Sequence, residues 1–372
     1  MDLGVNLGGF QSHVLGITKG LHKLGWDVVL FSGDCGNEQP DVDFKQVLVK
    51  NKPGSLLGVL LYQFRLMFAL LKTRGRPDAV YIRTNYSQIV PVLYALINGI
   101  PYYYEINGIQ SLETGKPLLA KIAEKVENFF MRRASGIFTV TSELKEYLQK
   151  RTGVSASKFC VVANGADIDM CAEESSSSEE SEFLKVGFMG AFQERQGIET
   201  FLKTLPLVKS EISNVKYVVA GRGADEEKYK VLVKELGVSE SVDFAGFVTR
   251  DRLGSVLSTF DVSVAPYTAA FGSGETGLSP LKIFTYLVCE RVCVISELGS
   301  LENFRVCPAV FFAKPDEVES FAGEILKVLK MGKDERLQLG RVGREFVLGN
   351  YTWDHSALKT SKFIVSTSGK NR

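Results

Sequence analysis

Apolar positions along the chain alternate between two spacings. Val14, Ile17, Leu21 and Leu24 recur three and four residues apart and predict a helix that Gly25 closes. Short apolar runs predict strands at Val28–Phe31, Ala79–Ile82, Pro101–Tyr104, Gly136–Val140 and Phe159–Ala163, with helical segments between them, notably Pro117–Arg133. The second half repeats the scheme, with strands at Lys185–Met189, Val215–Ala220, Ser241–Phe244, Val262–Ala265 and Val292–Ser296, and helices such as Ile198–Lys209 and Glu226–Leu236. Strands that alternate with helices predict an α/β protein with parallel sheets, and two such series predict two doubly wound, Rossmann-like domains.

The boundary between the two is polar. Glu173 to Glu182 reads Glu-Glu-Ser-Ser-Ser-Ser-Glu-Glu-Ser-Glu, a tract that has no apolar side chain to bury. It follows the turn signal Asn164-Gly165-Ala166-Asp167 and predicts a linker at 171–183, between domains at 1–170 and 184–351. Tyr351-Thr352-Trp353 begins a last amphipathic helix, about 352–372. A doubly wound domain ordinarily opens with a buried strand ahead of its first Gly-rich turn. Here Gly8-Gly9 comes almost at once, and Met1–Leu7 lacks the pattern of a buried strand. The opening strand is therefore expected to be missing, through truncation or decay.

Composition narrows the class. The chain has 372 residues, 45% hydrophobic and 23% charged, and a net charge of +1, which argues against general nucleic-acid binding. The balance is uneven: 19 Lys and Arg face 13 Asp and Glu up to Gly165, against 25 and 30 thereafter. A basic first half suits peripheral contact with an anionic membrane or an anionic acceptor. The cysteines at 35, 160, 171, 289, 293 and 307 form no Cys-x-x-Cys, and Cys160, Cys289 and Cys293 lie in apolar runs. They read as core residues, with no disulfide framework and no zinc site, so a reducing cytosol is expected. The start lacks the features of a signal peptide. Leu56–Leu71, broken by Gln63 and Arg65, is too short and too polar to span a bilayer; it reads as a buried helix, with an interfacial helix as the alternative. Together these predict a cytoplasmic protein, working in solution or at the inner membrane surface.

Several segments carry chemistry. Gly8-Gly9-Phe10-Gln11-Ser12-His13 opens the first helix, where glycines allow close backbone approach and the helix amino end favours phosphate. His13 reads as a helix-packing residue first and a functional one second. Tyr102-Tyr103-Tyr104-Glu105-Ile106-Asn107-Gly108 is a strand ending in a polar turn, and Glu105 could orient an acceptor hydroxyl or accept from the turn that follows. Thr139-Val140-Thr141-Ser142-Glu143 places Ser142 and Glu143 as caps of the next helix. Val186 to Gly197 is strand, loop, helix and includes Gly190, Arg195 and Gln196; Ala220-Gly221-Arg222-Gly223 ends the next strand. Arg222 could face a phosphate or sit at the surface. Val242 to Val248 forms a further strand and loop, and Ser279-Pro280-Leu281-Lys282-Ile283-Phe284-Thr285-Tyr286-Leu287 reads as a loop and a helix amino end between two strands. No Gly-x-Gly-x-x-Gly follows a strand with an acidic residue about twenty positions on, which speaks against a dinucleotide-dependent dehydrogenase.

This series, in this order from Gly8 to about Trp353, resembles the GT-B glycosyltransferases, in particular glycosyltransferase family 4. The resemblance implies two domains facing across a cleft, with the last helix, about 352–372, crossing back to the first domain. It also implies transfer of a sugar from a nucleotide-diphosphate donor to an acceptor hydroxyl, with retention at the anomeric carbon and no metal. The nucleotide sugar is then a co-substrate rather than a cofactor, and the acceptor a glycan or lipid-linked precursor of the kind used in envelope polysaccharide synthesis. It places Gly8, Gly9, Gly190, Arg195, Gln196, Arg222, Val248, Ser279, Leu281, Lys282 and Thr285 at the donor, Phe10, His13 and Asn107 on the acceptor side, and Glu105 as the catalytic candidate. The chain departs from the family where a basic residue commonly precedes Gly197 (Gln196), where an Arg often follows Gly190 (Ala191), at the ribose-binding Glu (Thr285) and at a helix-end Gly (Glu290). The earlier Glu of the family's pair falls on Gly277, with Glu275 nearby. These departures keep open a second reading, a non-catalytic paralogue acting as a binding or partner subunit.

Overall fold

The computed structural model describes residues 9–34, 41–51, 56–83, 89–109, 117–171, 182–272, 277 and 279–368. The chain divides into two compact units, one of residues 1–164 with 353–372 and the other of residues 165–352. The expected absence of an opening strand at Met1–Leu7, and most of the Ser/Glu tract, lie outside the described residues.

The first unit holds two parallel sheets. β1 (Val29–Asp34) pairs with β2 (Lys45–Lys50), and β3 (Val80–Arg83), β4 (Tyr102–Ile106), β5 (Gly136–Thr139) and β6 (Phe159–Val161) form a second sheet in sequence order. Among the described residues no ladder joins β1 to β3. All five residues of β4 are buried, the continuous burial typical of a central parallel strand covered on both faces. The last helix, Trp353–Thr367, packs on the first, Gly9–Lys23, and small residues set that approach. A Cβ on Gly16 would stand 2.2 Å from the Trp353 ring, and one on Gly20 would stand 2.5 Å from Ala357 Cβ. Trp26 Nε1 donates to Ser361 Oγ at 2.9 Å, and Tyr103 donates from beneath the helix to the Ile364 carbonyl at 3.0 Å.

The second unit is one six-stranded parallel sheet. Its strands are β7 (Leu184–Met189), β8 (Val215–Ala220), β9 (Val242–Gly246), β10 (Val262–Ala265), β11 (Cys293–Ser296) and β12 (Val310–Ala313), ordered β12-β11-β10-β7-β8-β9. The chain winds outward from β7 to β9, then restarts beside β7 and winds the other way. That reversal puts a topological switch point between β7 and β10, where open α/β sheets bind ligands at their carboxyl ends. One core lies on each face: Phe188, Phe201, Tyr217 and Val264 belong to the first, Phe260, Ala265, Tyr286 and Ile295 to the second.

Three expectations change. Thr141, not Ser142 or Glu143, caps the helix Ser142–Thr152, accepting from the Leu144 amide at 3.1 Å. Cys289 is bonded to Cys171 rather than being a lone core thiol, with Cα atoms 5.3 Å apart, a separation suited to a bridge. The helix Leu56–Lys72 buries only one stripe, Tyr62, Leu66 and Leu70, and exposes apolar side chains on its remaining faces.

Candidate active site

The functional candidates fall into two groups, one in each unit. In the first unit they converge on Glu105, at the carboxyl end of β4 and 2% exposed. The parallel register sets Arg83 of β3 directly beside it. Arg83 Nη1 lies 3.1 Å from Oε1, and Asn107 Nδ2 from the following turn donates to the same oxygen. Tyr81 donates to Oε2 at 2.8 Å. His13 comes from the first helix, its Nε2 standing 2.7 Å from Oε1 and its Nδ1 2.6 Å from Asn164 Oδ1. The edge of the His13 ring meets Trp353, with ring centroids 5.2 Å apart.

A carboxylate this deep would normally have its pKa raised by burial. His13 and Arg83 outweigh that and, with the Asn107 bond, hold Glu105 well below the usual carboxylate range. Burial and the neighbouring carboxylate push Tyr81 the other way, so its phenol keeps the proton it donates. Four neighbours thus surround a group that can accept about four bonds. Asn107, an acceptor-side candidate, is a partner of Glu105 itself. Gly9 and Phe10 open the first helix, and Gly8 lies outside the described residues.

In the second unit the candidates gather at the switch point. Gly190 directly follows β7, and the helix Leu281–Val288 follows β10. The cap residue of that helix is Pro280, whose side chain has no acceptor to offer the first-turn amides. Lys282 folds back from this helix so that Nζ donates to Gln196 Oε1 at 2.6 Å. It lies 4.1 Å from the centre of the Phe188 ring and 5.0 Å from that of Tyr267. A Cβ on Gly190 would reach to 2.8 Å from Nζ, so glycine leaves the room that the ammonium occupies. Among the described residues no carboxylate pairs with Lys282, and burial pulls its pKa from 10.5 down to about 7. The aromatic rings offset part of that desolvation.

The neighbouring candidates are spread around this centre. Arg195 lies over Phe271 at 4.8 Å and donates to Gln193 at 2.9 Å, and Arg222 lies over Phe247 at 4.4 Å. Neither pairs with a carboxylate among the described residues. Two glycines let loops close on one another: a Cβ on Gly221 would meet the Gly190 carbonyl oxygen at 1.8 Å, and one on Gly197 the Pro266 oxygen at 1.5 Å. Ser279 and Leu281 are half-buried at the amino end of the helix, and Val248 follows β9 beside Phe247. Thr285 donates its hydroxyl to the Leu281 carbonyl at 2.9 Å. Gly277 is described and Glu275 is not. Among the described residues no three His, Cys, Asp or Glu side chains stand together as a metal set.

Sequence reasoning missed Tyr81, Arg83 and Asn164 around Glu105, and Phe188 and Tyr267 around Lys282. Only the register of β3 against β4 pairs Arg83 with Glu105, and a single sequence does not state register.

Known proteins agree with this architecture. Residues 7–170 match Glycosyltransferase Family 4, and residues 184–331 match the Glycosyl transferases group 1. The 2-deoxystreptamine glucosyltransferase of Streptomyces kanamyceticus is 23% identical over 298 residues, 76% of this chain and 74% of its own. Sucrose-phosphate synthase from Thermosynechococcus elongatus superposes with a TM-score of 0.76 at 15% identity, covering 98% of this chain and 97% of that one. Anabaena HepE, solved with UDP and glucose, gives 0.71 at 15% identity and 96% coverage of both chains. With two Rossmann-like units, a switch-point site and both family patterns in order, the chain belongs to the GT-B glycosyltransferases related to glycosyltransferase family 4 and the group 1 glycosyl transferases.

Proposed function

We propose that this glycosyltransferase moves a sugar from a nucleoside diphosphate donor to a hydroxyl of a glycan or lipid-linked acceptor, with retention at the anomeric carbon. In that reaction the bond from the anomeric carbon to the diphosphate oxygen breaks and one to the acceptor oxygen forms. Negative charge grows on the departing diphosphate, which takes up the proton the acceptor hydroxyl gives. The observation that carries the reading is Lys282, a buried ammonium with no carboxylate partner among the described residues, at the amino end of a helix and beside Gly190. A cation and a helix dipole aimed at one place suit a developing diphosphate charge. HepE, of the same fold, is seen with UDP and glucose. Gln196 then positions Lys282, Leu281 and Thr285 line the nucleoside side, and Arg195 and Arg222 supply charge at the rim. Glu105 positions His13 and the turn at Asn107 rather than taking a proton from the acceptor, because its oxygens are already engaged.

One observation favours the second reading, a binding paralogue without turnover. Thr285 spends its hydroxyl proton on the Leu281 carbonyl and carries no charge for a ribose. Calorimetry against nucleoside diphosphates and nucleotide sugars separates the two. Thr285→Glu should raise nucleotide-sugar affinity about tenfold or more, the gain of one charged hydrogen bond. The gain should shrink for a donor lacking the ribose hydroxyls. If neither protein binds any nucleotide sugar at millimolar concentration, the donor reading fails. Binding without transfer to any acceptor would leave the paralogue.

A further inference from the structure

The helix Leu56–Lys72 carries more apolar surface than its own core uses. Its inward stripe, Tyr62, Leu66 and Leu70, packs with Val49 and against Phe31 and Tyr94. Surface helices ordinarily turn a polar face outward. Here the outward residues are apolar too: Leu57 is 66% exposed, Leu60 and Phe64 each 58%, and Leu71 64%. The adjoining helix Ile89–Ile97 has no charged residue and leaves Ile97 81% exposed. Contiguous apolar surface of this kind marks an interaction site.

The charge around it identifies the partner. Residues 44–77 contain Lys45, Lys50, Lys52, Arg65, Lys72, Arg74 and Arg76 and not one Asp or Glu. Lys45, Arg65 and Lys72 share with Val47, Phe64 and Phe68 the lining of a surface recess of about 530 Å³. We propose that the helices Leu56–Lys72 and Ile89–Ile97 form a docking face for an anionic lipid bilayer. Apolar side chains would enter the headgroup boundary, and the basic groups would remain at the level of the phosphates. With 17 residues and one face against its own sheet, the helix lies on a membrane rather than crossing it. A second copy is a poorer occupant, since it would set the same run of positive charge against itself. The proposal gives the basic balance of the first half a location, and it stands apart from donor binding.

Sedimentation with vesicles tests it without any nucleotide sugar. The protein should pellet with phosphatidylglycerol–phosphatidylcholine vesicles at low salt, stay in solution with phosphatidylcholine alone, and lose most of its binding near about 0.5 M salt, where charges are screened. Arg65→Glu with Lys72→Glu should weaken partitioning at least about tenfold, as should Leu60→Glu with Phe64→Glu. Lys228→Glu with Lys230→Glu, an equal change of net charge in the other unit, should leave it unaltered. Unchanged melting temperatures would show that the variants fold. Failure to bind anionic vesicles, equal binding to neutral ones, or variants that bind like the parent would overturn the proposal. So would a lipid-independent dimer that Phe64→Glu dissolves.

Discussion

Each unit buries a charge at the carboxyl end of a parallel strand, or on the helix just beyond one, and the two charges meet different surroundings. Glu105 closes β4 among a guanidinium, an imidazole, a phenol and an amide. Lys282 sits beside the end of β7 with an amide oxygen and two rings, and no carboxylate among the described residues. The shifts record the difference: the carboxylate is stabilised in its charged form despite burial, and the ammonium is destabilised by burial alone. A buried charge that is fully paired destabilises the fold when one partner is removed. One that is desolvated and unpaired is suited to an incoming ligand of opposite sign.

The largest effect is expected on the first of these. Glu105→Ala leaves Arg83 without its counter-charge and removes the carboxylate that His13, Tyr81 and Asn107 face. That should cost about 3–5 kcal/mol, as removing one partner of a buried pair does. Urea denaturation followed by circular dichroism would measure it; a loss below about 1 kcal/mol, approaching the ~0.5 kcal/mol typical of surface changes, would mean that the cluster is not structural. The pH dependence has a definite sign. The folded pKa lies below the unfolded one, so the stabilisation is fully present above the usual carboxylate range. It is lost only as pH falls through that range and towards the lower folded value.

Lys282→Met should act in the opposite direction on stability and should weaken ligand binding. Methionine fills similar space without a charge to desolvate, so the unliganded protein should melt at least about 2–4 °C higher at neutral pH, the shift that about 1 kcal/mol gives a unit of this size. Nucleoside diphosphate binding should fall about tenfold or more, as expected for losing a charged contact. Between about pH 7 and 10.5 the unfolded chain holds a proton on this lysine that the folded chain has released. Stability of the parent protein should therefore rise with pH across that window relative to the methionine variant. Diphosphate affinity should weaken over the same window. A variant that melts lower yet binds equally would place Lys282 in the core and the ligand elsewhere.

The two sites also differ in how far the sequence reveals them. The strand-end position of Glu105 is readable, because Tyr102-Tyr103-Tyr104 is a buried run that stops at a polar turn. Its surroundings are not: Tyr81 and Arg83 arrive through register, and His13, itself bonded to Asn164 across 151 residues, arrives through packing. Lys282 is visible as part of a motif, but its burial depends on Gly190, Phe188 and Tyr267 meeting at the switch point. Most strands carry an apolar run that marks them. The two left unassigned are edge strands: β2 keeps only Val49 buried, and β12 closes one end of the second unit's sheet. The Cys171–Cys289 bond, across 118 residues, has no spacing signature at all. Local patterns thus report elements, and contacts made across the fold report chemistry.

The smallest effect sharpens the comparison within a single helix. Leu281–Val288 carries Lys282 at its amino end and turns at Glu290 beyond its carboxyl end, where φ is +57°. The turn is held by Glu290 donating to the Leu287 carbonyl at 3.0 Å and Arg291 to that of Tyr286 at 2.9 Å. Neighbouring backbone fixes it further, since a Cβ on Gly340 would stand 2.0 Å from the Glu290 oxygen. A left-handed conformation costs a residue with a Cβ about 1–2 kcal/mol, and glycine returns about 0.4–1 kcal/mol of that through its freer unfolded chain. Glu290→Gly should thus stabilise the protein by roughly 0.5–1 kcal/mol, a rise of about 1–4 °C in scanning calorimetry. Because the substitution lies at the opposite end of the helix from Lys282, nucleoside diphosphate affinity should not change. A gain in both stability and affinity would mean that strain at the turn is transmitted along the helix to the ammonium. A loss of stability would mean that Glu290 contributes more through its side chain than its backbone gives up.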